Sequence, residues 1–200
     1  MFPRTCPLCG ADGRAPCDVC WISLDPAPVG PVPALIAYEG EGARLITLLK
    51  YANRRACVDR LADGMALLVE PGSVDVVTWA PTSARRRRAR GFDQAEVLAR
   101  AVSRRLGLPC RRLLFRTGGD AQTGRTRAER FVAGPKFDAN PFVLRWPRRV
   151  LVVDDVVTTG ATIAAAVSAL ERAGAWRVLP VAAASTPETS AARLAGSTRR

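Results

Sequence analysis

The sequence predicts an α/β protein: a parallel sheet flanked by helices, with a small N-terminal metal-binding module in front of it. Three observations lead there. Short apolar runs of strand length alternate with stretches in which apolar residues recur at helical spacing, the pattern of strand–helix–strand units joined by right-handed crossovers. One of those runs, "RRVLVVD" at 148–154, is apolar without alternation, as a strand buried on both faces must be. The first twenty residues carry four cysteines in two C-x2-C pairs.

The elements follow in chain order. "CPLCGADGRAPCDVC" offers Cys6, Cys9, Cys17 and Cys20, and the two residues inside each pair let both sulfurs face one ion. Four thiolates with no open position suit zinc held tetrahedrally in a structural site. The other readings of four such cysteines are two disulfides or free thiols, and a reducing cytoplasm argues against the first. Cys57 and Cys110 have no such partner in sequence and read as small core residues. "DPAPVGPVP" at 25–33, with four prolines, reads as a stiff linker, so the chain divides into a knuckle and linker at 1–33, a main domain at 34–185 and a C-terminal tail at 186–200.

Within the main domain "ALIAY" is a short strand, and "ARLITLLKYA" is a helix by the spacing of Leu45, Leu48 and Leu49. "DVVTWAP" is a buried strand ended by Pro81. Ala95, Leu98, Ala99, Val102 and Leu106 mark a helix that Gly107 and Pro109 stop, and "RRLLFR" forms the next strand. Residues 117–136, polar and glycine-bearing, read as a long mobile loop. "RRVLVVD" follows as an interior strand that ends at Asp154 and Asp155. Ile163, Val167 and Leu170 bury the next helix, Gly174 closes it, and "RVLPVAAA" is the last strand.

Composition narrows the chemistry. With 200 residues and 48% hydrophobic content the chain has enough apolar mass for a real core. No apolar run reaches bilayer length, and the opening "MFPRTCPLCG" lacks a basic start, an apolar stretch and a cleavage site, which predicts a cytoplasmic protein with no membrane insertion. The net charge of +12 is concentrated: residues 81–130 hold 14 arginines against Asp93, Glu96, Asp120 and Glu129, a local excess of +10 that suits an anion-binding surface. Arg100, Arg104 and Arg105 read instead as solvated helix-face residues. The chain has no histidine, so Ser-His-Asp and Cys-His nucleophiles, histidine-ligated metals and imidazole bases are all excluded.

The densest chemistry is "VLVVDDVVTTGAT" at 150–162. Ligands of open parallel sheets bind beyond the carboxyl ends of the strands, where Asp154 and Asp155 stand. The stretch then turns into a helix: Gly160 permits close backbone approach, and the hydroxyls of Thr158, Thr159 and Thr162 join the amides of a helix N-terminus to form a phosphate site. Two carboxylates beside it accept hydrogen bonds from a vicinal diol or hold a divalent cation through water. A ribose 5-phosphate matches both halves. A P-loop NTPase does not, because neither Lys50 nor Lys136 lies in a Gly-Lys-Ser/Thr context. Reading Asp155 as a helix cap and the threonines as turn residues leaves the tandem carboxylates unexplained.

"VLVVDDVVTTGAT" resembles the signature by which type I phosphoribosyltransferases bind phosphoribosyl pyrophosphate (PRPP). Together with the cysteine knuckle, "LLKY" at 48–51, "RGFDQAEVLA" at 90–99 and "AQTGRTRAER" at 121–130, the chain resembles the ComF family of that superfamily over residues 6–162. The resemblance implies a type I phosphoribosyltransferase-like sheet. Asp154 and Asp155 would contact the ribose hydroxyls and, through PRPP or water, Mg2+. Val157, Thr158, Thr159, Gly160, Ala161 and Thr162 would surround the 5-phosphate. Arg90 and Gly91 would belong to a pyrophosphate loop spanning 81–94, with Arg85–Arg88 weaker candidates, and Lys50 would join the PRPP contacts. Gln122, Arg127 and Arg130 would lie on a loop that closes over the reacting centre. The chain departs from the ComF pattern at Asp93 and Ala133, both places where Asn is usual; a carboxylate at 93 repels pyrophosphate unless it points into a helix cap.

Two classes of function fit. One is transfer of a phosphoribosyl group to a nitrogen acceptor, in which cationic groups stabilise the leaving pyrophosphate and no protein nucleophile is required. The other is a non-catalytic phosphoribosyl sensor or a DNA-handling accessory of competence, with weak nucleic-acid binding and partners in the competence machinery, as the resemblance implies.

Overall fold

The computed structural model describes residues 5–51, 55–117, 135–140 and 148–187. Its elements are α1 (Asp18–Ile22), β1 (Ala34–Ala37), α2 (Gly40–Tyr51), a 3-10 turn (Arg55–Cys57) running into α3 (Val58–Leu67), β2 (Val76–Trp79), α4 (Ala84–Arg90), α5 (Gln94–Leu106), β3 (Leu114–Thr117), β4 (Lys136–Ala139), β5 (Arg149–Val157), α6 (Ala161–Arg172) and β6 (Arg177–Ser185). Four strands form a parallel sheet in the order β1-β6-β5-β2, as the alternation of strand and helix patterns predicts.

The side-chain alternation of β2 and β5 builds two cores, one on each face. Val77, Trp79, Leu151 and Val153 meet α2, α3 and α5, while Val76, Val150 and Val152 meet α6 and the β3–β4 pair. Both faces being covered explains the uninterrupted apolar run of β5. Pro180 interrupts β6 without breaking it. The amide of Ala182 donates to Pro33 at the head of β1, so the alternate residue Pro180 faces the same side, where β1 has not yet begun.

Several elements differ from the expectation. The "RRLLFR" stretch touches the parallel sheet only where it begins, at a bridge between Cys110 and Val77 with the Arg111 amide donating to the Val77 carbonyl; β3 itself pairs antiparallel with β4 in a separate two-stranded sheet, whose buried Leu114 and Phe137 pack in the core with α6. β5 does not end at the aspartates but continues to Val157, since Val156 and Val157 still find partners in Ala184 and Ser185 of β6. Residues 81–94 are not a plain loop: α4 stands inside them, made by its ends rather than by burial. The Ser83 hydroxyl accepts from the Arg86 amide, and Gly91, at φ 78°, donates to the Arg87 carbonyl. The helix 3-10/α3, with Val58, Leu61, Ala62 and Met65 buried at helical intervals, is an element the sequence reading passed over.

The proline-rich segment lies along β1. Ala27 donates to Leu35 and Ala37 to Asp25, which covers the outer edge of the sheet. The cysteine module packs onto α3: Cys6, Leu8 and Leu24 belong to the larger core. The Arg60 guanidinium reaches from α3 to the Pro16 carbonyl at 2.9 Å, to Asp18 at 2.7 Å and over the Trp21 ring at 4.8 Å. Among the described residues no helix is long and apolar enough to cross a membrane.

Candidate functional site

The carboxyl end of the sheet gathers the acidic pair. Asp154 is 7% exposed, and burial first, then the charge of Asp155 beside it, push its carboxyl well above the usual range. Each carboxylate is oriented by its own strand: the Asp155 amide donates to Asp154 Oδ1 and the Val156 amide to Asp155 Oδ1, both at 2.8 Å. Asp155 Oδ2 receives Lys50 Nζ at 3.0 Å, and that ammonium also sits 5.5 Å from the centre of the Tyr38 ring. Two adjacent carboxylates thus stand together with one of them paired to an ammonium, an arrangement that suits a further cation or a pair of hydroxyl donors.

Beyond the pair the chain turns into α6. Gly160 takes φ 75°, a left-handed conformation that other side chains adopt only with strain, and the Thr159 hydroxyl accepts from the Ala161 amide at 3.4 Å. Thr158, Thr159 and Ala161 are exposed, and Gly160 and Thr162 half-exposed, so this turn and the first amides of α6 are open to solvent. Val157 differs from the other predicted phosphate residues: it ends β5 with its side chain in the core and has only backbone to offer.

On the other flank, Arg90 ends α4 and Gly91 caps it. Arg90 Nη1 donates to Gln94 Oε1 at 2.9 Å, and Gln94 Nε2 reaches the Lys50 carbonyl at 3.4 Å. The structure thus links Arg90 to Lys50, and so to Asp155, through Gln94, with Tyr38 beside the ammonium; neither Gln94 nor Tyr38 is among the predicted site residues. Gln94 carried a signal, the buried position opening an amphipathic helix just after an arginine and a glycine. Asp93 is a cap: its carboxylate accepts from Thr82 and Ala95 amides at 2.9 and 3.1 Å, and burial holds its pKa above the ordinary value. Gln122, Arg127 and Arg130 lie outside the described residues.

A second feature lies on α4 and α5, where Arg87, Arg88, Gly91, Phe92, Asp93, Glu96, Val97 and Arg100 line an open depression of about 550 Å3. None of these residues belongs to the aspartate pair or its loop. Trp79 is buried beneath Arg100, whose guanidinium lies 5.8 Å from its ring centre, so only Phe92 offers an aromatic surface there. Arg100 pairs with Glu96, and Arg105 with Asp59 and Asp63, as expected of helix-face residues.

The four cysteine sulfurs all lie within 4.8 Å of one another, with Cys9 and Cys17 sulfurs 3.6 Å apart. Tetrahedral zinc with bonds of about 2.3 Å separates its sulfurs by about 3.8 Å, so the donor set fits that ion in size and chemistry. Burial pushes the Cys6 thiol up, but amide hydrogen bonds from Cys17, Cys9 and Leu8 outweigh it and bring the pKa to about 6. Hydrogen bonds with Cys9 and Cys17, and then burial, push Cys20 up to about 12. Cys57 is buried and its thiol is raised to about 12 by that burial, as an inert core cysteine's would be.

No family model matches the chain. Among curated proteins it is similar to the DNA utilization protein YhgH of Escherichia coli O6:H1, 29% identical over 189 residues that cover 86% of this chain and 80% of that protein. Among solved structures it is similar to the glutamine phosphoribosylpyrophosphate amidotransferase from B. subtilis (24% identity, TM-score 0.45, 63% of this chain and 26% of that one). It is also similar to the adenine phosphoribosyltransferase from Leishmania tarentolae (17% identity, TM-score 0.46, 76% and 68%).

Proposed function

We propose that the chain is a ComF-type phosphoribosyltransferase-like protein that binds PRPP with Mg2+ at the carboxyl end of β5 and transfers the phosphoribosyl group to a nitrogen acceptor. The observation that carries this reading is the adjacent pair Asp154–Asp155 at the carboxyl end of β5, met among the described residues by the Lys50 ammonium and followed at once by the Gly160 turn into α6. In the reading, the carboxylates take the ribose hydroxyls, residues 158–162 and the α6 amides hold the 5-phosphate, and Arg90 faces the pyrophosphate. Mg2+, held by Asp154 and Asp155 through PRPP or water, supplies neutralisation of charge on the departing pyrophosphate. Gln122, Arg127 and Arg130 are proposed for the closing loop.

The division at 33 and 185 belongs to the same proposal, as does zinc on Cys6, Cys9, Cys17 and Cys20, in a protein of the cytoplasm where thiols stay reduced. Metal analysis after mild purification is expected to find one zinc per chain, and a chain without zinc, or with Cys6 or Cys20 in a disulfide, contradicts it.

The decisive test of the site is calorimetry with PRPP and Mg2+. Asp154→Asn with Asp155→Asn keeps size and removes the charged acceptors, so affinity is expected to fall by about 2 to 4 kcal/mol; equal affinity for variant and parent rejects the site. A scan of nitrogenous bases for pyrophosphate release then separates transferase from sensor.

A second reading rests on the arginine helix α4 and its depression, and on the name of the YhgH relative: a DNA-handling accessory. It expects weak, sequence-blind DNA binding that Arg85–Arg88→Ala abolishes, with an affinity that falls with salt at a log-log slope of about −0.7 per phosphate on a single strand.

A further inference from the structure

We infer that Gln94 is a positioning residue, which holds the Arg90 guanidinium in register with the Lys50–Asp155 pair and so ties the pyrophosphate side of the site to its ribose side. The inference rests on the PRPP reading above and extends it to a residue that touches no ligand.

Gln94 is 1% exposed, and its amide lies between two partners that each permit only one polarity. A guanidinium can only donate, so the atom facing Arg90 at 2.9 Å is the amide oxygen. A carbonyl can only accept, so the atom facing Lys50 at 3.4 Å is the amide nitrogen. No flipped amide satisfies both. The Lys50 carbonyl lies in the last turn of α2, where backbone oxygens lack helical partners, and Gln94 supplies one from a position 44 residues away. The same residue sends its ammonium to Asp155 at 3.0 Å. Gln94 therefore grips the backbone of the residue whose side chain meets the ribose-side carboxylate, and with its other end grips the arginine across the Gly91 turn.

An arginine that ends a helix with no buried residue has many rotamers, and a buried acceptor removes most of them. That is pre-organisation toward a pyrophosphate.

The test titrates the full-length chain with two probes, Mg2+-pyrophosphate and ribose 5-phosphate. Gln94→Met removes both amide bonds at similar volume and is expected to weaken pyrophosphate about tenfold while changing ribose 5-phosphate less than about twofold, since a lost bond to a charged group is felt by the ligand that uses that group. Gln94→Glu keeps an acceptor for Arg90 while giving up the donor to the Lys50 carbonyl, and is expected to weaken pyrophosphate clearly less than Gln94→Met does. In an Arg90→Ala background, Gln94→Met is expected to have no further effect on pyrophosphate. A merely structural role predicts otherwise, and equal loss for both probes, a Glu variant as weak as the Met variant, or additivity with Arg90→Ala overturns the inference. Should the Met variant fail to fold, Gln94→Asn, which keeps a buried amide but falls a methylene short of Arg90, carries the same expectations. A parent that binds neither probe overturns the PRPP reading and this inference together, whereas a parent that binds both beside an unchanged Gln94→Met overturns this inference alone.

Discussion

The two ends of the parallel sheet each carry an acid–base cluster where β5 meets a neighbour, and the clusters are built on opposite terms. At the amino end, one guanidinium serves one carboxylate. The Arg149 amide and Nε donate to Asp75 Oδ2 at 2.9 and 3.2 Å, Nη2 to Oδ1 at 2.5 Å, and Nη1 to the Gly72 carbonyl at 2.6 Å. Those side-chain and then backbone bonds hold the Asp75 pKa down at about 2. At the carboxyl end two adjacent carboxylates stand together, Asp155 paired with Lys50 and the more buried Asp154 pushed up in pKa. The first cluster is closed and works for the fold; in the second, among the described residues, Lys50 is the ammonium that meets the pair, and a cationic or hydroxyl-bearing ligand can add to it.

The comparison breaks most visibly if the Lys50 ammonium is removed. Lys50→Met takes the paired cation from Asp155 in a mostly buried place, and we expect a loss of about 2 kcal/mol in urea unfolding at neutral pH. Asp155→Asn added to it is expected to restore most of that loss, and no restoration means that Lys50 acts on the fold through packing alone.

A smaller effect of opposite sign sharpens the contrast. The Asp154 pKa is raised on folding, so its contribution to stability is present below the unfolded carboxylate value and lost as pH rises through the folded one. Asp154→Asn keeps an oxygen for the Asp155 amide and removes the buried charge. The ligand-free variant is expected to gain about 1 kcal/mol near neutral pH, or roughly 2 to 4 °C in melting temperature, and to match the parent near pH 3. A variant less stable than the parent at neutral pH contradicts it.

The smallest effect belongs to the amino end. Arg149→Met is expected to cost about 0.5 kcal/mol, because both side chains are about a third exposed and water screens the pair. PRPP affinity should stay unchanged. Asp75, with its pKa depressed, contributes stability above the ordinary carboxylate value that is lost as pH falls toward about 2, and thermal melts across that range should show this slope shrink in the variant, which keeps the backbone amide on Asp75.

What could be read from the sequence divides along the same lines. β5 and α6 were legible because a double-faced apolar run and a helical stripe are local patterns. The knuckle was legible because four thiols at those spacings have few other uses. α4 was illegible as a helix since an all-arginine stretch has no apolar stripe, although Ser83 and Gly91 stood at its ends as cap residues. α3 had the stripe, at Val58, Leu61, Ala62 and Met65, and its signal was there to be taken. The extension of β5 past the aspartates and the antiparallel partner of β3 depend on strands distant in sequence, and no local pattern encodes a partner. The same holds within the site. Asp154 and Asp155 announce themselves, but the ammonium of Lys50 meets Asp155, and the amide of Gln94 meets Lys50, only through contacts over many residues.

Pro180 has a consequence for the life of the molecule among its copies. Among the described residues, Arg177–Val181 has a strand beside it on the β5 side only, so its other side is a short bare edge of the kind on which chains stack into aggregates. A second chain laid along that edge needs an amide at its middle and meets a pyrrolidine ring instead. The residue costs nothing to the sheet it belongs to and withholds a ladder hydrogen bond from any strand laid against that flank.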